Sequence, residues 1–173
     1  MIEPNTFRKV MSTWPTGVSI VSGMGPDRRP IGMVIGSFCS VSLSPALVAF
    51  FVKTGSTSWR EIQEGGGRFC VNVLTQNQAD LCRVFAAGDP HKRFDMVPFE
   101  IHCGHFPRID ECSAWIDACT EATYEMGDHW FVLGRVEELH AEDDVSDAMI
   151  FFKGKVSGVK PPCFWMLMGS STA

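Results

Sequence analysis

Long hydrophobic sequence is what this chain has least of. Among its 173 residues the longest uninterrupted apolar run is Ala46 to Val52, far too short to cross a bilayer. The amino terminus, Met1-Ile2-Glu3-Pro4-Asn5, lacks the basic-then-apolar layout of a secretory signal. Positive charge is also short: 15 Lys and Arg against 20 Asp and Glu give a formal net charge of -5 and a pI near 5.5. That balance argues against nucleic acid or an anionic membrane as the main partner. No Gly-x-Gly-x-x-Gly follows a strand, which removes a Rossmann-type dinucleotide site. There is no Cys-x-x-Cys pair among the seven cysteines, and their number is odd. This is the usage of a reducing compartment, here expected to be the cytoplasm, with most thiols serving as small core residues. Internal repeats, low-complexity tracts and linker-like intervals are missing too, so one domain over 1–173 is expected.

Aromatic rings are plentiful, with 13 Phe and 5 Trp against a single Tyr. They suit an aromatic interior, a pocket wall or a subunit contact. The most informative stretch runs from Gly32 to Pro45. Small or hydroxyl residues stand at Gly36, Ser37, Ser40, Ser42 and Ser44, and the apolar run Ala46 to Val52 follows. A strand pair rich in small residues lets a flat ligand approach the backbone, offering N–H and hydroxyl donors to ring carbonyls and phosphates. A flavin has those needs, although serine-rich alternation also describes an ordinary half-exposed strand.

Strands dominate the rest of the reading. Asn5 caps an amphipathic helix over residues 6–14, closed by Pro15 and Gly17. Strands are expected over 18–22, 31–37, 39–43, 48–53 and 69–74. Ser56 or Thr57 caps a short helix through Trp59 and Ile62 that Gly65-Gly66-Gly67 stops, and a further helix covers 77–87. A long loop spans about 88–108. Two strands, 114–124 and 129–139, are joined by Glu125-Met126-Gly127-Asp128. Many strands with only short helices favour a mainly β fold, a closed β-barrel over a doubly wound sheet.

Five segments in register carry a resemblance to a known family. They are Pro15-Thr16-Gly17-Val18 with Ile20-Val21; Gly32-Met33, Ser37-Phe38, Ser40-Val41-Ser42-Leu43 and Pro45; Gly67 to Leu74 with Gln78 and Phe85-Ala86; Gly127-Asp128-His129 with Gly134-Arg135-Val136; and Phe151 to Lys155. Together these resemble the flavin reductases that serve two-component flavin-dependent monooxygenases. The resemblance covers a barrel core of about 5–160 and leaves the tail, 161–173, without a role. It implies an FMN-binding split barrel of Greek-key type, a homodimer, FMN or FAD as flavin, and NADH or NADPH as reductant. The product would pass to a flavin-dependent monooxygenase. Where this family usually has Thr, the chain has Val34.

The resemblance also implies roles. Met33, Val34, Ile35, Gly36, Ser37 and Phe38 would lie along the flavin ring edge, and Ser40 would reach the ribityl-phosphate side. Ser56, Thr57 and Ser58 would cradle phosphate at a helix amino end, where free N–H groups and the helix dipole favour an anion. Lys53 would add a point charge, Phe51 and Val52 would back the ring, and Arg83 and Phe85 would stand near the rim. His129 would sit at the mouth and contact nicotinamide. Hydride transfer asks the protein for no nucleophile or general base, so no catalytic residue is assigned. Each role has a plainer counterpart: Ser and Thr before Trp59 describe any helix cap, Phe85 is simplest as core, and Met33 is a common gap-filler.

Two rival readings share the fold: a flavin- or haem-binding split barrel without turnover, and a reductase of another acceptor through tightly held flavin. A third is a metal module around His102, Cys103, His105 and Cys112. That spacing does not fit paired zinc patterns, so no metal is expected.

Overall fold

Runs of β-branched and aromatic residues, broken by Gly, Pro and Asp, set most of this chain as strands. The computed structural model describes residues 2–142 and 147–159; the expected tail at 161–173 and the acidic pair Asp143-Asp144 lie outside them. In chain order the helices are α1 (Pro4–Met11), α2 (Thr57–Glu64) and α3 (Ala79–Ala86). The strands of the amino-terminal half are β1 (Thr16–Gly17), β2 (Ser19–Met24), β3 (Pro30–Ile35), β4 (Cys39–Leu43), β5 (Ala46–Lys53) and β6 (Arg68–Val73). Those that follow are β7 (Phe99–His102), β8 (Phe106–Ile109), β9 (Ala114–Met126), β10 (His129–Ala141), β11 (Ala148–Phe152) and β12 (Lys155–Val159).

Seven strands make one antiparallel sheet in the order β3-β2-β6-β9-β10-β5-β4. Smaller sheets, β1-β11-β12 and β7-β8, accompany it. The long β9–β10 hairpin carries register shifts at Leu133/Gly134 and Val136/Glu138, and such bulges deepen the twist that curls a sheet. β3 and β4 are the two ends of the strand order, which leaves the β-barrel expected from strand count split between them. Mainly β, split-barrel architecture is what the chain adopts. Ser37, in the link from β3 to β4, bridges part of the gap. Its Oγ donates to the Phe51 carbonyl at 3.1 Å and accepts from the Phe51 N–H at 2.9 Å.

An aromatic trio fills the main core. Phe50, Trp59 and Phe69 meet edge-to-face with centroids 5.3, 5.4 and 6.0 Å apart. Burying each contributes roughly 2–3 kcal/mol over leaving it exposed, and the edge-to-face pairs add about 0.5–1.5 kcal/mol each. Because Trp59 lies on α2, the trio also seats that helix against the sheet. A second cluster, with Ile20, Leu74, Phe85, Phe94 and Ile109, lies under α3 and the segment after it.

Three local expectations are corrected. Glu3, not Asn5, caps α1, its carboxylate accepting from the N–H groups of Asn5 and Thr6 at 2.9 and 2.7 Å. Within 77–87, a 3-10 turn (Gln76–Gln78) precedes α3 because Gln78 folds back to accept from the Thr75 N–H at 3.0 Å. The supposed loop of 88–108 contains β7 and the start of β8. Every residue of β8 is buried, including Arg108. Alternation could not reveal a strand whose polar residue is buried by a distant carboxylate. Of the thiols, Cys70 and Cys112 are buried while Cys39 and Cys103 are exposed, so the core role expected of most cysteines fits only some.

Candidate functional site

A cavity beside β3 is lined on one side by Met33 to Ser37 and on the other by Phe51 to Lys53 of β5. β3 is an end strand, so part of its backbone hydrogen-bonding capacity is not used by the ladder. The cavity there has a volume of about 920 Å³, large enough for a ring system with a phosphate-bearing arm. Its base is the turn from Lys53 to Ser58, which leads into α2. Ser56 caps this helix by accepting from the Trp59 N–H at 3.2 Å, and its hydroxyl also reaches the Met33 sulfur at 3.4 Å. The helix start is thereby tied to β3. The N–H groups of Thr57 and Ser58 have no acceptor among the described residues. Two free donors at a positive helix end make an anion site.

At the other wall stand Asp128 and His129, brought there because β10 pairs with β5 and sets His129 opposite Lys53. The Asp128 carbonyl accepts from the Thr54 N–H at 3.1 Å, which fixes this turn beside the α2 approach. The Asp128 carboxylate lies 2.7 Å from His129 Nδ1. Hydrogen bonding from His129, and the charge of that ring when protonated, hold the Asp128 carboxyl below its ordinary value. With Nδ1 engaged, Nε2 is the ring atom left to meet a ligand. Phe85, Ala86, Pro90 and Arg93 complete the lining.

Residues 11–160 match the family described as flavin reductase like domain. The chain belongs to the flavin reductase like family. A flavin reductase of Pseudomonas putida is 43% identical over 157 residues, covering 91% of each chain. The reductase subunit HsaB of a flavin-dependent monooxygenase from Mycobacterium tuberculosis is 36% identical over 171 residues, covering 95% of this chain and 89% of that one. Among solved structures, the NADH:FAD oxidoreductase SgcE6 of Streptomyces globisporus C-1027, in complex with NAD and FAD fragments, superimposes with a TM-score of 0.84. It is 29% identical, with 94% of this chain and 98% of that one covered.

In this flavin reductase like chain most of the residues singled out from sequence line one cavity: Met33, Val34, Ile35, Gly36, Ser37, Phe51, Val52, Lys53, Ser56, Thr57, Ser58, Phe85 and His129. Phe85 is both wall and core, fully buried against Phe94 at 5.1 Å between centroids. Three others fall outside that lining. Phe38 packs against the main core. Ser40 is exposed on β4, the far end strand. Arg83 points to solvent beside Asp80 at 3.6 Å. Sequence reasoning passed over Thr54, Gly55, Ala86, Pro90, Arg93 and Asp128 as lining residues. Thr54, Gly55 and Asp128 adjoin residues already chosen, so the turn chemistry could have found them. Arg93 had no such signal, because it sat in the stretch read as loop.

The metal-type constellation comes apart in the fold. Cys112 is buried in the second core cluster and His105 packs near Phe106, while His102 and Cys103 meet Glu138 instead. Glu138 already accepts from His102 at 3.0 Å and pairs with Arg108 at 3.3 Å.

Proposed function

We propose that this chain is an NAD(P)H:flavin oxidoreductase that reduces FMN or FAD by hydride transfer and supplies reduced flavin to a partner flavin-dependent monooxygenase. The observation that carries this reading is one cavity with an end strand along one side, a helix amino terminus at its base and a histidine opposite. A flavin bound there supplies the redox chemistry, taking hydride from the nicotinamide. The chain's own task is positioning. Met33 to Ser37 present the edge of β3 to the flavin ring, Phe51 and Val52 back it, and Thr57 and Ser58 direct free N–H groups at its phosphate. Lys53 adds positive charge near that end. His129, held through Nδ1 by Asp128, would receive the nicotinamide at the mouth of the cavity and so position it for hydride transfer. Phe38, Ser40 and Arg83 are given no first-hand role in this reading.

The active form is a homodimer in the cytoplasm. Supporting the dimer, α1 buries none of its residues, and Phe7, Val10, Met11 and the nearby Trp14 are all exposed. Supporting the compartment, the cysteines of the described residues are free thiols. No helix among those residues is long and apolar enough to cross a membrane.

The test is NADH or NADPH oxidation with and without added FMN, FAD and riboflavin, followed by loss of nicotinamide absorbance. Saturable turnover that depends on added flavin is expected. Turnover without added flavin would move the assignment to a tightly bound flavin serving another acceptor. Flavin binding with no turnover by either nucleotide would leave a binding protein.

A further inference from the structure

Arg93 is the one strong cation in the cavity wall that no local sequence pattern announced, and its surroundings are unusual for a guanidinium. It follows a short 3-10 turn (Pro90–Lys92) and reaches across to β3 and α2. Nη1 donates to the Gly32 carbonyl at 2.8 Å and to Ser58 Oγ at 3.3 Å. Ser58 lies in the first turn of α2. A cation is thus fixed at the positive end of a helix, the end that favours negative charge. Nε is shut off from solvent without an acceptor, and a buried unmet donor carries a real cost. Nη2 makes no hydrogen bond among the described residues. Burial lowers the Arg93 pKa, opposed by the charge of Asp89. Two residues before Arg93, His91 Nε2 lies 3.5 Å from the Glu61 carboxylate. Arg93 Nη2 and the free N–H groups of Thr57 and Ser58 have no hydrogen-bond acceptor among the described residues, and Lys53, which acts on the Asp128 carboxylate, stands in the same lining.

We propose that Arg93 is the specificity-determining residue of the cavity, reading a phosphate-ester oxygen with Nη2 while Nη1 holds β3 to α2. This rests on the reductase reading and deepens it, because it makes the ligand's phosphate, not its ring, the group that Arg93 selects. Two ligands of the reaction carry such a phosphate, the flavin nucleotide and the nicotinamide dinucleotide. FMN and riboflavin share a ring and differ by the phosphate, so their ratio isolates the contribution.

The experiment is fluorescence titration of FMN and of riboflavin into wild type, Arg93→Gln and Arg93→Lys, in phosphate-free buffer, with thermal melts as a check on folding. Loss of one charge-assisted hydrogen bond weakens binding by about tenfold to a hundredfold. In Arg93→Gln the FMN dissociation constant should rise by that factor and that of riboflavin should stay near the wild-type value, with Arg93→Lys recovering part of the loss. A parallel arm measures KM for NADH with riboflavin as acceptor. A rise there, with the FMN-to-riboflavin ratio unchanged, supports the phosphate role and assigns it to the dinucleotide. Equal weakening of FMN and riboflavin, or no change in FMN, riboflavin and NADH alike, overturns the proposal. The wild-type protein separates the two levels of inference: binding FMN over riboflavin without oxidising NADH would refute the reductase reading and leave the Arg93 comparison interpretable.

Discussion

Single residues decide how closely this barrel can pack. Gly134 lies at a bulge of β10, and a Cβ there would meet the ring of Phe69 at 2.5 Å. Phe69 is fully buried within the aromatic trio and has nowhere to move. Gly134→Ala should therefore destabilise the fold by about 1–3 kcal/mol through overpacking, read as a lower urea midpoint with little change in the slope. The same scale shows why site residues differed in legibility. Ser56 announces itself as a cap, and His129 as the residue after a Gly-Asp turn, because both signals are local. Arg93 touches Gly32 and Ser58 across long stretches of chain. No spacing rule carries that information.

At the scale of elements, the β7–β8 hairpin shows how a segment read as loop becomes structure. It is docked by polar groups as well as apolar ones: the Ile109 N–H donates to Asn72 Oδ1 at 2.7 Å, and Arg108 pairs with fully buried Asp117 at 2.6 Å. Arg108 also meets Glu138, which His102 bonds in turn. Removing the buried carboxylate in Asp117→Ala should cost about 3–5 kcal/mol, since Arg108 loses its main partner. The hydrogen bonds from His102 and Arg108 hold the Glu138 carboxyl below its ordinary value of 4.5. A carboxyl lowered on folding stabilises the native state above its unfolded pKa, and that contribution is lost as pH falls through the folded one. Glu138→Gln should accordingly flatten the acid arm of a urea-midpoint profile, losing less stability than wild type between neutral pH and pH values below 4.5.

For the whole molecule the question is what covers its exposed apolar faces. α1 leaves Phe7, Val10 and Met11 in solvent, and Trp14 just beyond it is 70% exposed. Nearby, the Lys153 N–H donates to the Ser12 carbonyl at 2.9 Å, tying the β11–β12 hairpin, with Phe151, Phe152 and Val156 exposed, to the end of α1. Apolar surface in one contiguous region is commonly a subunit contact. In the homodimer reading, sedimentation should give twice the chain mass of 19.1 kDa, and Trp14→Glu should shift it toward monomer while leaving the far-UV circular dichroism intact. A monomeric wild type would defeat that reading.

Sequence alone determined what depends on neighbours in the chain. The strand content, the Ser56 cap, the Gly65-Gly66-Gly67 stop and the β9–β10 hairpin are written in periodicity, capping and turn residues, and the family resemblance follows their order. Tertiary structure decided what depends on which elements meet. The strand order ends at β3 and β4, and the cavity forms where β3 and the link after it come to face β5. Arg108 is buried because Asp117 faces it, Phe38, Ser40 and Arg83 fall away from the lining, and Arg93 enters it. Each outcome is set by contacts between residues far apart in the chain, where local propensity has no reach.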